Sequence, residues 1–364
     1  MTPQSTLYFI SYRTGDQITG GEKCNAALLE AARLAGMSVV EWEGRRVGSN
    51  IFAANFSYLF KSLCINKPCC ILLDLDYCTR FLLGLLLTKH ISRVPVIGTL
   101  YHYKFPYKKP ILARTILKAI EAFSSRSLTA VITISKYSQS SFASITSPRN
   151  IRSSVIPPFV KDSPADKPLE HEFRIANSMR LLSVGTVEPR KNIHLIVESL
   201  RFLSLPFHLD IAGHIQSEAY YHSLLSRIDD LGVSKSCTFH GYLQKTRLDA
   251  LYVASDIFVL VSEMEGYGIV YAEAMKFGLP IVASRHGAIP ELVIHDENGF
   301  ICTTDNPRDI ADAINSLANR NAWIRISQNN LMKFETLSDR ATYIAQAKGL
   351  FVELGNRLSF PLRT

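Results

Sequence analysis

Short runs of β-branched and aromatic residues alternate with amphipathic stretches along nearly the whole of this 364-residue chain. In the first half the runs are Leu7 to Tyr12, Val39 to Trp42, Cys69 to Asp74, Val94 to Tyr101, Ala130 to Ile134 and Ser153 to Ile156. Between them, Gly21 to Ala35, Phe52 to Leu63, Ile111 to Ser124 and Ser135 to Ala143 carry apolar residues at helical spacing. A strand that is followed by a helix and then another strand must return in the same direction, so the pattern dictates parallel sheets with both faces covered. The rhythm breaks at 157–178, where Pro157, Pro158, Pro164 and Pro168 lie among mixed charges. It then restarts at Leu181 to Gly185 and runs through five further strand-like segments to Phe300 to Cys302, with helical pattern from Pro307 to about Leu354 and one break near Thr336 and Leu337. Two doubly wound α/β domains facing across a cleft are the expected architecture, and such sheets bind ligands at the carboxyl ends of their strands. The expected limits are 1–160 for the first domain, 161–178 for the linker and 179–340 for the second, with a last helix in 341–364 packing back on the first.

Composition narrows the class. With 47% hydrophobic and 20% charged residues, the chain is neither disordered nor a disulfide scaffold. Its seven cysteines include no C-x-x-C pair and no histidine at ligand spacing, so buried thiols in a reducing compartment are expected. The longest apolar run, Phe81 to Leu87, is far shorter than the ~20 residues that a membrane-spanning helix needs. The first twenty residues lack a basic start followed by an apolar stretch, so cytoplasmic residence is expected.

The net charge of +8 is unevenly divided. Residues 1–165 hold 20 Lys+Arg against 9 Asp+Glu, whereas the remainder holds 20 against 23. No acid occurs between Asp76 and Glu121, where eight basic residues do. The first half therefore expects an anionic neighbour.

Chemistry concentrates in Ser262-Glu-Met-Glu-Gly-Tyr-Gly-Ile-Val-Tyr-Ala-Glu-Ala-Met-Lys-Phe-Gly-Leu-Pro. A β-rich run enters a polar, glycine-bearing turn at Glu265 to Gly268 and a helix follows. That geometry points free N–H groups outward at a strand's carboxyl end, where a phosphate or sugar hydroxyl can be held. Glu265 lies in the turn and Glu273 farther along the helix, so both carboxylates can face one ligand. Taken alone, the pair could equally be solvated carboxylates at a helix start. Asp74 and Asp76 have no third ligand nearby and read as caps, and Gly266-Tyr-Gly268 lacks the third small residue of a dinucleotide loop.

Glu265 and Glu273, with Ala274-Met275 and Gly278-Leu279-Pro280 behind them, resemble the E-x7-E signature of retaining, nucleotide-sugar-dependent glycosyltransferases of the GT-B fold, in the family numbered four. Leu182-Ser-Val-Gly-Thr-Val-Glu-Pro-Arg-Lys-Asn, Phe239-His-Gly-Tyr, Ser255-Asp-Ile-Phe-Val and Gly287-Ala-Ile-Pro-Glu-Leu-Val match the family's pattern in the same order. The resemblance is dense from about residue 180 to 305 and looser before it. It implies two Rossmann-like domains. It also implies that Glu273 holds the ribose of the nucleotide, that Glu265 and the backbone of Gly266, Tyr267, Gly268 and Ile269 hold the donor sugar, and that Arg190 and Lys191, beyond Gly185, sit on the diphosphate. Many members carry arginine directly after that glycine, where this chain has Thr186. In the first half, Gly20 and Gly21 fall where the family has a glycine loop, and His102 matches a histidine near the transferred sugar.

The mechanism so implied retains anomeric configuration by front-side attack, with the departing phosphate helping to deprotonate the acceptor. It calls for no protein nucleophile, no metal and no cofactor beyond the nucleotide-sugar donor. The expected reaction is hexose transfer from a UDP- or GDP-sugar to a saccharide or lipid-linked saccharide, in cell-envelope polysaccharide or glycolipid synthesis. A phosphorylase or synthase-like enzyme, or an inactive scaffold for an anionic partner, are the alternatives. Residues 101–118 interleave aromatics with cations and suggest contact with an anionic membrane surface at the cytoplasmic face. Nucleic acid is not expected, because no recognised binding module accompanies the charge.

Overall fold

The computed structural model describes residues 5–11, 20–43, 69–75, 94–103, 110–146, 151–303 and 306–357. The expected helix Phe52 to Leu63, the run Phe81 to Leu87, and Thr19, Cys64, Asp76, Cys78, Lys104, Lys108 and Lys109 lie outside them. The described residues divide into two compact units, 1–163 with 338–364, and 164–337.

In the first unit, strands β1 (Thr6–Ser11), β2 (Ser38–Glu43), β3 (Cys69–Asp74), β4 (Val96–Leu100), β5 (Ala130–Thr133) and β6 (Arg152–Val155) form one parallel sheet in the order β2-β1-β3-β4-β5-β6. Its central strands are buried along their whole length, as strands covered on both faces must be. Alternate residues feed opposite cores: Leu7, Phe9, Cys70 and Leu72 one side, Ile10, Cys69, Ile71 and Leu73 the other. Helix α1 (Gly20–Leu34) covers the first side. Helices α2 (Ile111–Ser125) and α3 (Lys136–Ile145) follow β4 and β5, and the Ser135 hydroxyl caps α3 by accepting from the Ser138 N–H.

The second unit repeats the plan. Strands β7 (Met179–Val184), β8 (Phe207–Ala212), β9 (Cys237–Gly241), β10 (Ile257–Leu260), β11 (Ile281–Ser284) and β12 (Gly299–Cys302) are parallel and ordered β12-β11-β10-β7-β8-β9. Helices α4 (Ile193–Ser199), α5 (Glu218–Asp230), α6 (Lys245–Ala254), α7 (Ile269–Lys276), α8 (Ile289–Leu292), α9 (Pro307–Ser316) and α10 (Arg320–Thr336) connect them and close the unit. The direction of winding reverses between β7 and β10, which are adjacent in the sheet. Loops leaving these two strands must diverge, and the crevice so formed is where such sheets bind ligands.

Two features depart from the expected outline. Residues 164–178, expected as part of the linker, group with the second unit: the Leu169 N–H bonds to the Lys276 carbonyl, Ile175 is part of the core and Phe173 packs against it. The long terminal helical pattern also has a second break. Asn319 interrupts it, its side chain accepting from the N–H groups of Asn321 and Ala322 to start α10.

After Leu337 the chain rejoins the first unit as α11 (Arg340–Arg357). Tyr343, Ala347, Phe351 and Leu354 of this helix share a core with Cys24, Ala27, Leu28 and Ala31 of α1. Arg340 pairs with Glu30 and Arg152 with Glu353, fixing the helix at both ends. Phe351→Ala should therefore destabilise the first unit by about 3–5 kcal/mol, read as a lower urea midpoint, because it opens a cavity under α1.

Candidate active site

The loops after β7 and β10 bring a set of polar side chains together in the second unit, held by the following contacts. Gly185 directly follows β7, and the stem of Lys191 runs past it: a Cβ at 185 would stand 3.2 Å from Lys191 Cε. A short 3-10 turn, Pro189–Lys191, then delivers two consecutive cations. Asn192 follows in the left-handed region at φ 52°, and its side-chain amide donates to the Val261 carbonyl at 3.0 Å, tying the β7 loop to the end of β10. The Glu263 N–H bonds to the Arg190 carbonyl at 2.7 Å and completes the tie.

Lys191 and Glu265, 74 positions apart, meet at 2.5 Å between Nζ and Oε1. The Ser262 hydroxyl donates to the same oxygen at 2.8 Å, and Arg190 Nη1 stands 3.7 Å from it. Arg190 is itself aimed by two bonds of 2.8 Å, one to the Met264 carbonyl and one to Glu188 Oε1, and the Thr186 hydroxyl donates to that carboxylate at 2.7 Å. Thr186 thus helps to orient the arginine four places on, through Glu188. Burial opposes the charge on Glu265, but the Lys191 ammonium and the Arg190 guanidinium outweigh it and hold the carboxyl below its usual range. The Lys191 and Ser262 bonds to this carboxylate both fall on Oε1.

Backbone conformation sets the rest. Gly268 lies at φ 89° and precedes α7, which has no side-chain cap, while the Tyr271 N–H bonds back to the Gly268 carbonyl at 3.0 Å. Gly287, at φ 66°, sits against the Glu265 backbone, where a Cβ would be 2.4 Å from the carbonyl oxygen, and the Ala288 N–H bonds to that oxygen at 2.9 Å. Gly266, Tyr267 and Ile269 complete the turn, with the Tyr267 side chain buried. Glu273 lies on α7, and its Oε2 accepts from the Tyr252 hydroxyl at 3.0 Å. Tyr252 is fully buried and stacks on Phe277 at 5.1 Å, so that bond comes from a fixed platform.

The expected residues of the first half belong to the other unit. Gly20 and Gly21 lie in the first turn of α1 rather than in a loop before it. The Tyr101 ring occupies the space beside Gly21, where a Cβ would be 3.3 Å from Cζ, and the Tyr101 hydroxyl stands 2.9 Å from the Gly21 carbonyl oxygen and 2.8 Å from Asn25 Oδ1. His102 follows Tyr101, half-buried. Asp74 accepts from Asn25 Nδ2 at 3.4 Å. No group of three or more His, Cys, Asp or Glu side chains among the described residues could hold a metal ion. The free cysteines take no part: burial pushes the thiols of Cys24 and Cys302 up to about 12 and that of half-buried Cys237 to about 11.

Residues 170–333 match the sequence profile of the family described as glycosyl transferases, group 1. The matched stretch lies within the second unit. Relatives of this chain include the sulfoquinovosyl transferase SQD2 of Arabidopsis thaliana, 38% identical over 90 residues, which are 25% of this chain and 18% of that protein. A GDP-mannose-dependent phosphatidylinositol monomannoside mannosyltransferase of Mycobacterium tuberculosis is 25% identical over 237 residues, covering 61% of this chain and 60% of its own. The chain thus spans less than two thirds of these relatives. Among solved structures, sucrose-phosphate synthase of Thermosynechococcus elongatus aligns with a TM-score of 0.78 at 16% identity, covering 98% of this chain and all of its own. Anabaena HepE, solved with UDP and glucose, aligns at 0.72 and 19% over the same shares. These alignments show that the fold is GT-B, built of two Rossmann-like domains.

Sequence reasoning missed the roles of Ser262, Glu188, Asn192 and Tyr252, which hold the cluster in place. Glu265→Gln should cost the fold about 3–5 kcal/mol by leaving the Lys191 ammonium buried and uncompensated, whereas Glu265→Leu combined with Lys191→Met should recover most of the loss in urea unfolding. Because the folded carboxyl titrates below its ordinary value of 4.5, its stabilising share is full above that pH and disappears as pH falls through the folded value. The Gln variant should flatten the acid limb of the stability curve.

Proposed function

We propose that this protein is a retaining, metal-independent hexosyltransferase that moves a sugar from a UDP- or GDP-sugar to a hydroxyl of a saccharide or lipid-linked saccharide. The observation that carries this reading is the cluster at the β7/β10 reversal: two fixed cations and a shared carboxylate beside an uncapped helix start. Such a set suits a ligand that is anionic at one end and rich in hydroxyls at the other.

In this reading Arg190 and Lys191 accept the donor diphosphate. They are already aimed by Glu188, Met264 and Glu265, so little reorganisation accompanies the growth of charge on the leaving phosphate. The N–H end of α7 adds to the same field. Glu265, pinned through Oε1, offers Oε2 to a hydroxyl of the donor sugar, with the backbone from Gly266 to Ile269 beside it. Glu273, held by Tyr252, takes the ribose. The acceptor oxygen attacks the anomeric carbon on the face from which the phosphate departs, the bond to that phosphate breaks, and the phosphate takes the acceptor's proton, so the sugar keeps its anomeric configuration without a protein nucleophile. The named activities of the relatives support this direction: one uses GDP-mannose on a lipid-linked mannoside, and HepE was solved with UDP-glucose.

A thermal-shift screen of UDP-, GDP- and ADP-sugars should give one stabilising base, since a ligand bound only by the folded state raises the melting temperature. With that donor, Lys191→Ala should lower kcat about 100- to 1000-fold, and NMR of the product should show the donor's anomeric configuration. Unchanged turnover in the Lys191 variant, or an inverted product, would overturn the mechanism.

A further inference from the structure

The two cations of the β7/β10 cluster are each matched by a carboxylate: Glu188 stands 2.8 Å from Arg190, and Glu265 2.5 Å from Lys191. Burial accounts for only one of these pairs. Lys191 and Glu265 leave 9% and 12% of their side chains exposed, so each requires the other. Arg190 and Glu188 keep 23% and 25%, and an ion pair that water reaches so easily contributes little to stability.

Nor does Arg190 depend on Glu188 alone for its orientation, since its Nη1 donates to the Met264 carbonyl at 2.8 Å and stands 3.7 Å from Glu265 Oε1. Yet Glu188 is itself fastened. Its Oε1 accepts from the Thr186 hydroxyl at 2.7 Å and from Arg190 Nη2 at 2.8 Å, and its carbonyl accepts from the Lys191 N–H at 3.0 Å. A negative charge is thereby held in a fixed place against the diphosphate cations.

Such a charge acts unequally on donor and product. In a sugar nucleotide the diphosphate is esterified at both ends. After transfer its outer phosphate is freed of the sugar and ionises a second time, with a pKa of about 6. At neutral pH the product therefore carries one more negative charge than the donor, and a fixed carboxylate opposes it more strongly. The cations that stabilise the leaving group also hold it afterwards, and release of product limits turnover in many enzymes.

We propose that Glu188 discriminates between donor and product: its carboxylate, fixed by Thr186, weakens the hold of Arg190 and Lys191 on the released nucleoside diphosphate more than on the sugar nucleotide. This deepens the reading above and rests on its placement of the diphosphate at those two cations.

Isothermal titration of the full chain with UDP and UDP-glucose, GDP and GDP-mannose, and ADP and ADP-glucose tests this. For the pair that binds, Glu188→Gln should tighten both ligands, because the amide oxygen still accepts from Thr186 and Arg190 while the charge is gone. The diphosphate should gain about threefold more than the sugar nucleotide. The same factor should lower the diphosphate's inhibition constant relative to the KM of its donor. Thr186→Val removes a bond and keeps the charge, so it should leave the ratio of the two dissociation constants at the parent value. Melting without nucleotide should be unchanged in the Gln variant, since the side chain is part-exposed. Equal tightening of both ligands, no tightening, or a ratio that moves as far with Thr186→Val would each overturn the proposal and leave the transferase reading standing, because both ligands still bind. Failure of the parent chain to bind any of the six would overturn both.

Discussion

The bond between Lys191 and Glu265 organises the second unit's chemistry. Neither partner is tolerable alone in so buried a position: removing an ion from water costs several kcal/mol even after relaxation, and only an opposite charge in good geometry offsets it. The pair therefore adds little net stability while fixing where two loops must end. Because β7 and β10 are neighbours in the sheet, residues 74 positions apart reach each other without a long excursion. The Asn192 amide, the Ser262 hydroxyl and the Ala288 N–H then lock the arrangement from three sides. A ligand diphosphate entering this cluster would meet cations already in place, although partly balanced by Glu265 and Glu188.

Much of this was legible in the sequence, for identifiable reasons. The limits of β3 and β8 were expected as found, because their apolar runs stop abruptly at turn-forming residues. Glu265, Arg190 and Lys191 stood out because they lie within ordered motifs. Tyr252 lies outside those motifs and Ser262 and Glu188 lie within them, yet none stood out as a site residue, since the role of each comes only from a neighbour distant in the chain or across a turn. The prolines of 157–178 suggested a linker, and composition carries no sign that Phe173 and Ile175 pack into the second unit's core. The break at Asn319 was hidden because an asparagine within a helical pattern looks the same whether it caps or merely faces solvent.

Helix α2 shows a different blind spot. Apolar residues at helical spacing announce an amphipathic helix, but the pattern has no sign: it does not say which side faces the protein. The usual assumption places the apolar side inward, and here Glu121, Ser124 and Ser125 occupy that side instead. The first unit likewise gives its glycines a local task. Gly21 makes room for a tyrosine ring, a need that a reading in terms of ligand phosphates would not anticipate.

The excursion of the chain through 164–337 has a consequence for biogenesis. On a ribosome the strands of the first unit emerge early, yet the surface of α1 that Tyr343, Ala347 and Phe351 cover stays bare until the last turns of α11 are translated. The second unit is contiguous and can collapse as soon as residue 337 clears the exit tunnel. The half that begins first is thus the half that finishes last, and nascent chains arrested before α11 present an unsealed apolar seam to chaperones.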